Sequence, residues 1–308
     1  MTEHSARRYA VAVNPSASFG GGKAVGPMLV EALRADGHTV TMLQADSYVR
    51  LEEAVRAALA EQPDALIVVG GDGMVHLGIN HVAGTSIPLA VMPSGTGNDM
   101  ARGLGMPVGD PAAAIESLRA ALAAPPVASD VLRIENAEGV RYAAGVLSAG
   151  FDALVNERAN LMRWPKGRQR YNLAIARELA ALKPREYRLV VDGVERSEQA
   201  ILIAVANNTS FGGGMQIVPQ ADMTDGVVEL FLVRPLSRTK FLAVFPKVFK
   251  GEHVGHPAVH IEPVRHVTIA ADPTLAGYAD GERVGLLPAT VSVMRGAALI
   301  HRPPVATS

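Results

Sequence analysis

LIVVGGDGMVHLGINHVAGTSIPLAVMPSGTGND, residues 66–99, contains two short apolar runs, 66–69 and 89–92, and each breaks abruptly into small polar residues. Runs this short, bounded by glycine, read as strands buried on both faces of a parallel sheet. The first opens into Gly70-Gly71-Asp72-Gly73 and the second into Pro93-Ser94-Gly95-Thr96-Gly97-Asn98-Asp99. Glycine in such turns permits positive φ and brings backbone close to a ligand with no Cβ in the way. Loops at the carboxyl ends of neighbouring parallel strands are where open α/β sheets take nucleotides, and exposed amides beside a helix start favour phosphate. Taken alone, Gly-Gly-Asp-Gly is equally a tight strand–helix connection. Two such loops in one short stretch point to phosphate.

The common phosphate motifs are absent. Gly22-Lys23 is followed by Ala24 rather than Ser or Thr, which excludes a P-loop, and no G-x-G-x-x-G follows a strand.

Working outward, residues 9–13 read as a strand ended by Asn14-Pro15, and 23–35 as a helix with Val25, Met28, Leu29, Ala32 and Leu33 on its apolar side. Residues 39–43 form a second strand and 65–69 a third. Between them 47–61 read as a helix with Val49, Ala54, Val55, Ala58 and Leu59 on one side. This alternation continues to Arg119 and predicts an α/β domain, a doubly wound parallel sheet, over residues 1–125. Pro125-Pro126 marks the boundary. Beyond it strands at 131–135, 141–146, 188–191, 199–206, 227–233, 259–262, 267–270 and 290–295 predict a mostly antiparallel β domain over 126–308. A helical insert at 153–185 interrupts it.

Bulk composition narrows the function. A chain of 308 residues has room for two domains with cores of their own. Lys and Arg total 29 against 30 Asp and Glu, so no global field suggests nucleic acid as a partner. The absence of cysteine excludes disulfides, thiolate zinc sites and a cysteine nucleophile. The nine histidines show no metal-ligand spacing, and His253 and His256 read as surface residues. The start, MTEHSARRYAVAVNP, lacks the apolar stretch of a signal peptide, and no run approaches the roughly 18 apolar residues of a membrane span. The expectation is a cytoplasmic protein that visits the inner face of the plasma membrane.

Asn14-Pro15, GGDG and SGTGND together resemble the catalytic domain of the diacylglycerol kinase and sphingosine kinase superfamily, in its soluble bacterial branch. SAGFDALV (148–155), FGGGMQIVPQADMTDG (211–226) and YADGE (278–282) extend the resemblance over nearly the whole chain, and RANLMRWPKGRQRY (158–171) is similar to the actinobacterial members. One departure lies after GGDG, where the family commonly has threonine and then Asn-Glu. This chain has Met74 and then His76-Leu77.

The resemblance implies an ATP-dependent lipid kinase that converts diacylglycerol to phosphatidate for phospholipid biosynthesis, with a β-sandwich carrying the acceptor site. Kinases of sphingoid bases or phosphatidylglycerol are the near alternatives, an NAD kinase a more distant one, and a non-catalytic lipid-binding module the last. A homodimer is also open. The resemblance puts ATP against Asn14, Pro15, Gln44, Gly70, Gly71, Asp72, Gly73, Ser94, Gly95, Thr96 and Asn98. A carboxylate beside a triphosphate suits a bridging Mg²⁺, so Asp72 joins the catalytic set; a helix cap is its structural alternative. The resemblance makes Asp280 the base, with Glu282 its alternate or orienter, although Asp-Gly between strands is also the commonest hairpin signal. It further implies a structural Mg²⁺ on the Asp225 carboxylate and the main-chain oxygens of Val228 and Leu230, with Asp130 joining through water. The basic insert 158–185, which holds Trp164, suits a peripheral contact with an anionic membrane.

Overall fold

The computed structural model describes residues 6–14, 24–162, 164–165 and 168–304. Two compact units divide the chain. The first runs to Ser129 and regains the chain from Gly296; the second is Asp130–Arg295.

The first unit alternates β1 (Arg8–Val13), α1 (Val25–Ala35), β2 (Thr39–Leu43), α2 (Tyr48–Ala60), β3 (Ala65–Gly70), α3 (Asp72–Val82) and β4 (Leu89–Pro93), then adds α4 (Asp99–Gly103) and α5 (Pro111–Ala123). The strands pair in parallel in the order β2-β1-β3-β4, and every residue of β3 and β4 is buried, as continuous apolar runs require. Helix starts are written into the sequence. Ser47 accepts the N–H of Arg50 before α2, and Asp110 accepts those of Ala112 and Ala113 before Pro111. Two expected core residues face outward: Met28 of α1 and Val49 of α2, whose buried face is Leu51, Val55 and Leu59. Val49 sits in the first turn, ahead of the stripe that meets the sheet.

From Val127 the chain forms β5 (Val127–Asn136), whose first three residues still belong to the first unit, then β6 (Gly139–Ala143), β7 (Val146–Gly150), α6 (Phe151–Leu161), α7 (Arg168–Ala180), β8 (Arg185–Val191), β9 (Val194–Ala200), β10 (Leu202–Ala206), β11 (Val228–Val233) and α8 (Arg238–Val244). A 3-10 turn at Phe245–Lys250 follows, then β12 (Val259–Val264), β13 (His266–Ala270), β14 (Ala276–Ala279), β15 (Glu282–Leu286) and β16 (Ala289–Ile300). One antiparallel sheet has the order β12-β11-β10-β7-β14-β15; β13 pairs with β16 and β8, β8 with β9, and β5 with β6. Leu147, Ala149, Ile203, Val205, Leu230 and Leu232 pack from one side against Leu132, Leu189, Val267, Ile269 and Val291, the core of a sandwich.

Several sequence expectations are corrected. The chain from Gly296, grouped by sequence with the second domain, belongs to the first unit, because Ile300 pairs in parallel with Leu89 and His301 donates its N–H to the Leu89 carbonyl. The expected strand 141–146 is two strands, because the amides between them turn to a carboxylate described below. The expected strand 199–206 is also two: Ala200 still pairs with Arg185, whereas Leu202 pairs with Gly150 and Val233 in the other sheet. His253 is buried rather than on the surface, with Nε2 at 2.9 Å from the Ile217 carbonyl and its ring edge-on to Phe231. Among the described residues no helix is long and apolar enough to cross a membrane.

Candidate functional site

Gly70 at the end of β3 lies opposite Pro93 at the end of β4, and the Ser94 N–H donates to the Gly70 carbonyl at 2.9 Å. The two glycine loops therefore leave the sheet together. A β-carbon on Gly95 would stand 2.8 Å from the Gly71 nitrogen, and one on Gly97 would stand 2.6 Å from Oδ2 of Asp72. Close approach of backbone is what demands glycine here. The expected positive φ is absent: Gly71 has φ −100°, and no glycine of either loop is left-handed. The left-handed residue is Asn98, φ 56° and ψ 38°, whose side chain closes the second loop by accepting the Gly95 N–H at 2.9 Å and donating to the Gly95 carbonyl at 2.8 Å.

Asp72 caps a helix, but not its own. Its Oδ1 accepts the Met100 N–H at 3.0 Å, at the start of α4. Burial first, and the Asp99 carboxylate second, raise its pKa above the usual carboxylate range, partly offset by backbone N–H donors. Ser94 carries a buried hydroxyl with no hydrogen-bond partner among the described residues. Thr96 is exposed. Asn14, past the end of β1, donates its N–H to the Val69 carbonyl at 3.1 Å, and a β-carbon on Gly70 would touch its Cβ at 3.4 Å. Gln44 is exposed past the end of β2, beyond β1 from the loops. Pro15, with residues 16–23, lies outside the described residues. Sequence reasoning missed Tyr48, whose hydroxyl donates to the Gly73 carbonyl at 3.3 Å from the first turn of α2. Two glycine loops packed backbone to backbone at the ends of neighbouring parallel strands, with an orphan hydroxyl beside them, are chemistry that suits a phosphate-bearing nucleotide.

In the second unit Asp280 and Gly281, φ 51° and 85°, form the two-residue turn between β14 and β15, with Ala279 opposite Glu282. The Asp280 carboxylate accepts three consecutive amides, those of Ala144, Gly145 and Val146, at 3.0, 3.0 and 3.1 Å. Asp192-Gly193, between β8 and β9, makes a second such turn, and the Asp192 carboxylate likewise accepts the N–H groups of Arg265 and His266. The amide grip is thus a way of fastening a hairpin. Glu282 is different: its side chain reaches solvent, and the desolvation it does suffer raises its pKa.

Asp225 begins a third acidic turn, its Oδ1 accepting the Val227 N–H at 3.0 Å. Asp130, fully buried, accepts the Gly226 N–H at 2.6 Å through Oδ2. Glu229 in β11 is 7% exposed, and burial, then Asp225 and Asp222, push its carboxyl up to about 7. Val228 and Leu230 flank it in β11, paired with Val264 and Glu262 of β12. Among the described residues no group of three or more His, Asp or Glu side chains converges as metal ligands. Asp225 and Asp222 thus put negative charge beside a buried carboxyl, the chemistry that would favour a cation there.

The insert is a helical hairpin, α6 and α7, tied by an ion pair between Arg158 and the buried Glu178. Leu161 and Trp164, where the helices join, are each 79% exposed. Arg163 and Lys166 lie outside the described residues, as does the side chain of Arg168. A cavity of about 230 Å³ at the hairpin's base is lined on one hand by Phe151, Leu154, Ala181, Leu182 and Ile201 and on the other by the charged Arg158, Glu178, Lys183 and Arg185.

Residues 8–129 match the family model of the diacylglycerol kinase catalytic domain, and 145–301 match that of the YegS C-terminal NAD kinase beta sandwich-like domain. A diacylglycerol kinase of Mycobacterium tuberculosis is 36% identical over 305 residues, covering 98% of this chain and 97% of that protein. One of Bacillus subtilis is 25% identical over 237 residues, 76% of each. A solved chain described as a diacylglycerol kinase of Bacillus anthracis superimposes with a TM-score of 0.72 at 18% identity, over 99% of this chain and all of that one. It shares the fold.

Proposed function

Because this chain belongs to the diacylglycerol kinase family of lipid kinases, we propose that it transfers the γ-phosphoryl group of ATP to the free hydroxyl of diacylglycerol, giving phosphatidate. The observation that carries this reading is the pair of glycine loops held in contact through bare backbone, with the Ser94 hydroxyl unpartnered beside them. Bound there, ATP with Mg²⁺ supplies the phosphoryl group and neutralises its charge. Backbone amides of the loops and the Ser94 hydroxyl hold the phosphates. Asn98 keeps the second loop in shape, and Asp72 ties it to the first.

The acidic turn of the second unit divides its work. Asp280, committed to three amides, is a positioning residue that fixes the turn. Glu282 accepts the hydroxyl proton, since its side chain is open to a substrate and free of the amide contacts that hold Asp280, and the burial it does have raises its pKa. This reverses the order that the family resemblance suggested. A structural Mg²⁺ at Asp225 and neighbouring main-chain oxygens would stabilise the β domain. Part of an acyl chain suits the apolar lining of Phe151, Leu154, Leu182 and Ile201. The tip of the α6–α7 hairpin, with Leu161 and Trp164 in solvent, supports contact with an anionic membrane.

The test is a competition. Purified protein is given labelled ATP and, in separate detergent micelles, diacylglycerol, sphingosine or phosphatidylglycerol, with NAD⁺ in solution. Diacylglycerol is expected to have the highest kcat/KM. Preferential labelling of any other acceptor overturns the assignment.

A further inference from the structure

Residues 237–250, SRTKFLAVFPKVFK, contain four basic residues and no acid in a chain whose net charge is −1. The segment forms α8 and the 3-10 turn and carries a row of aromatic rings. Phe241 meets Phe151 of α6 edge-on at 5.2 Å and stacks on Phe245 at 5.6 Å, and Phe245 meets Phe249 at 6.2 Å. The rings lead from a buried position to the surface: Phe241 is 8% exposed and Phe249 is 49% exposed. Leu242 is 53% exposed. Leu242, Pro246 and Phe249, at spacings of four and three, lie outward, whereas Phe241 and Val248 lie inward. Arg238, Lys240, Lys247 and Lys250 are exposed and in no ion pair among the described residues.

This segment and the α6–α7 hairpin share one core. Phe151, Ala159 and Ala174 of the hairpin and Phe241 and Val248 of the segment bury their apolar sides in a single cluster, against Val146, Ala204, Phe231 and Val233 of the sheet. They are therefore one layer over one sheet face, and the large apolar side chains this layer leaves in solvent include Leu161, Trp164, Leu242 and Phe249. Apolar groups flanked by unpaired cations are matched by an anionic lipid headgroup layer, which takes the rings below the charges. A protein partner would have to supply a dense acidic patch around an apolar centre, and nothing in the charge balance of this chain makes a second copy that partner.

We propose that α8 and the following 3-10 turn form a second membrane-docking element, in which Leu242 and Phe249 enter an anionic bilayer surface between Arg238, Lys240, Lys247 and Lys250. The inference extends the hairpin contact proposed above and rests on it for the identity of the partner. Two separated insertion points fix the orientation of the second unit on the bilayer, which one hairpin tip cannot do.

Trp164 is the only tryptophan of the chain, so each element can be read separately. In the Trp164→Phe, Phe249→Trp protein, vesicles containing phosphatidylglycerol are expected to shift the emission to the blue, and brominated lipid to quench it. Both effects disappear at high salt. Each basic residue near such a surface is worth about 1 kcal/mol, roughly fivefold. Replacing all four by glutamine is expected to lower the partition coefficient by about a hundredfold or more at low salt, with turnover of micellar diacylglycerol unchanged. Unshifted, unquenched emission from position 249 while the parent protein binds the same vesicles would overturn the proposal and leave the hairpin as the sole contact. Binding by neither protein overturns both. A blue shift that grows with protein concentration without lipid would mark self-association and also overturn it.

Discussion

Gly145 leaves room for Asp280: a β-carbon on residue 145 would stand 2.5 Å from the Asp280 Oδ1 that accepts the residue's own N–H at 3.0 Å. The missing side chain and the carboxylate's grip on three amides are one device. Asp280→Asn turns an amide NH₂ against at least one of those donors, which leaves a buried N–H unsatisfied at a cost of about 1–3 kcal/mol. The expected result is a melting temperature several degrees lower, with Gly145→Ala lowered similarly. An unchanged melting temperature in both would show the turn to be held by other contacts.

Gly95→Ala is expected to separate the glycine loops, because its β-carbon meets the backbone of Gly71 rather than a side chain that can move. Overpacking of this kind costs about 1–3 kcal/mol, and the strain falls on the loops that hold phosphate. Calorimetry with a non-hydrolysable ATP analogue should show affinity lowered at least tenfold while the far-UV spectrum stays that of the parent. Parental affinity would remove this cradle from the nucleotide site.

Asp152, in the first turn of α6, is 4% exposed, and burial pushes its carboxyl up to about 6, offset in part by the Ser148 hydroxyl and the amides of Asp152 and Ala153. A carboxylate whose folded pKa exceeds its unfolded value keeps its proton longer in the folded state. Stability therefore falls as pH rises between the two values, about 4 to 6, and stays lower above them, by on the order of 3 kcal/mol at most. Asp152→Asn lacks this decline. The difference in melting temperature, variant minus parent, should grow from pH 4 to pH 7. A difference that is flat or shrinks with pH would show that Asp152 does not carry a raised pKa.

Magnesium without nucleotide should raise the melting temperature of the parent protein, since a ligand bound only by the folded state stabilises it by mass action, about 2.7 kcal/mol at a hundred times Kd. Asp225→Ala should lose that increment, beyond whatever it loses with the Val227 hydrogen bond. An equal response in parent and variant would place the cation elsewhere.

How much was legible in the sequence differs by element. The parallel strands of the first unit read directly, because a strand buried on both faces is a continuous apolar run ended by glycine. The break between β6 and β7 did not, because it is made by Asp280, which lies far along the chain from the amides it binds. The split between β9 and β10 was hidden for a related reason: the chain changes sheets at Ile201 without a Gly or Pro to mark it. In the glycine loops the expected positive φ did not hold: φ is ordinary there, and crowding against the facing loop is what calls for glycine. Tyr48 left no signal at all, because a hydroxyl reaching a carbonyl from a neighbouring helix has no sequence pattern. The return of Ile300 to the first sheet is likewise a long-range pairing that local pattern does not record.

The most direct measurement is transfer of label from γ-labelled ATP to dioleoylglycerol in detergent micelles, by the parent protein and by Glu282→Gln side by side. The predicted result is labelled phosphatidate from the parent, and a kcat lower by about 10²–10⁴ in the variant, as loss of a general base requires, with ATP affinity unchanged. No label in lipid from the parent, or parental turnover by Glu282→Gln, would contradict the account.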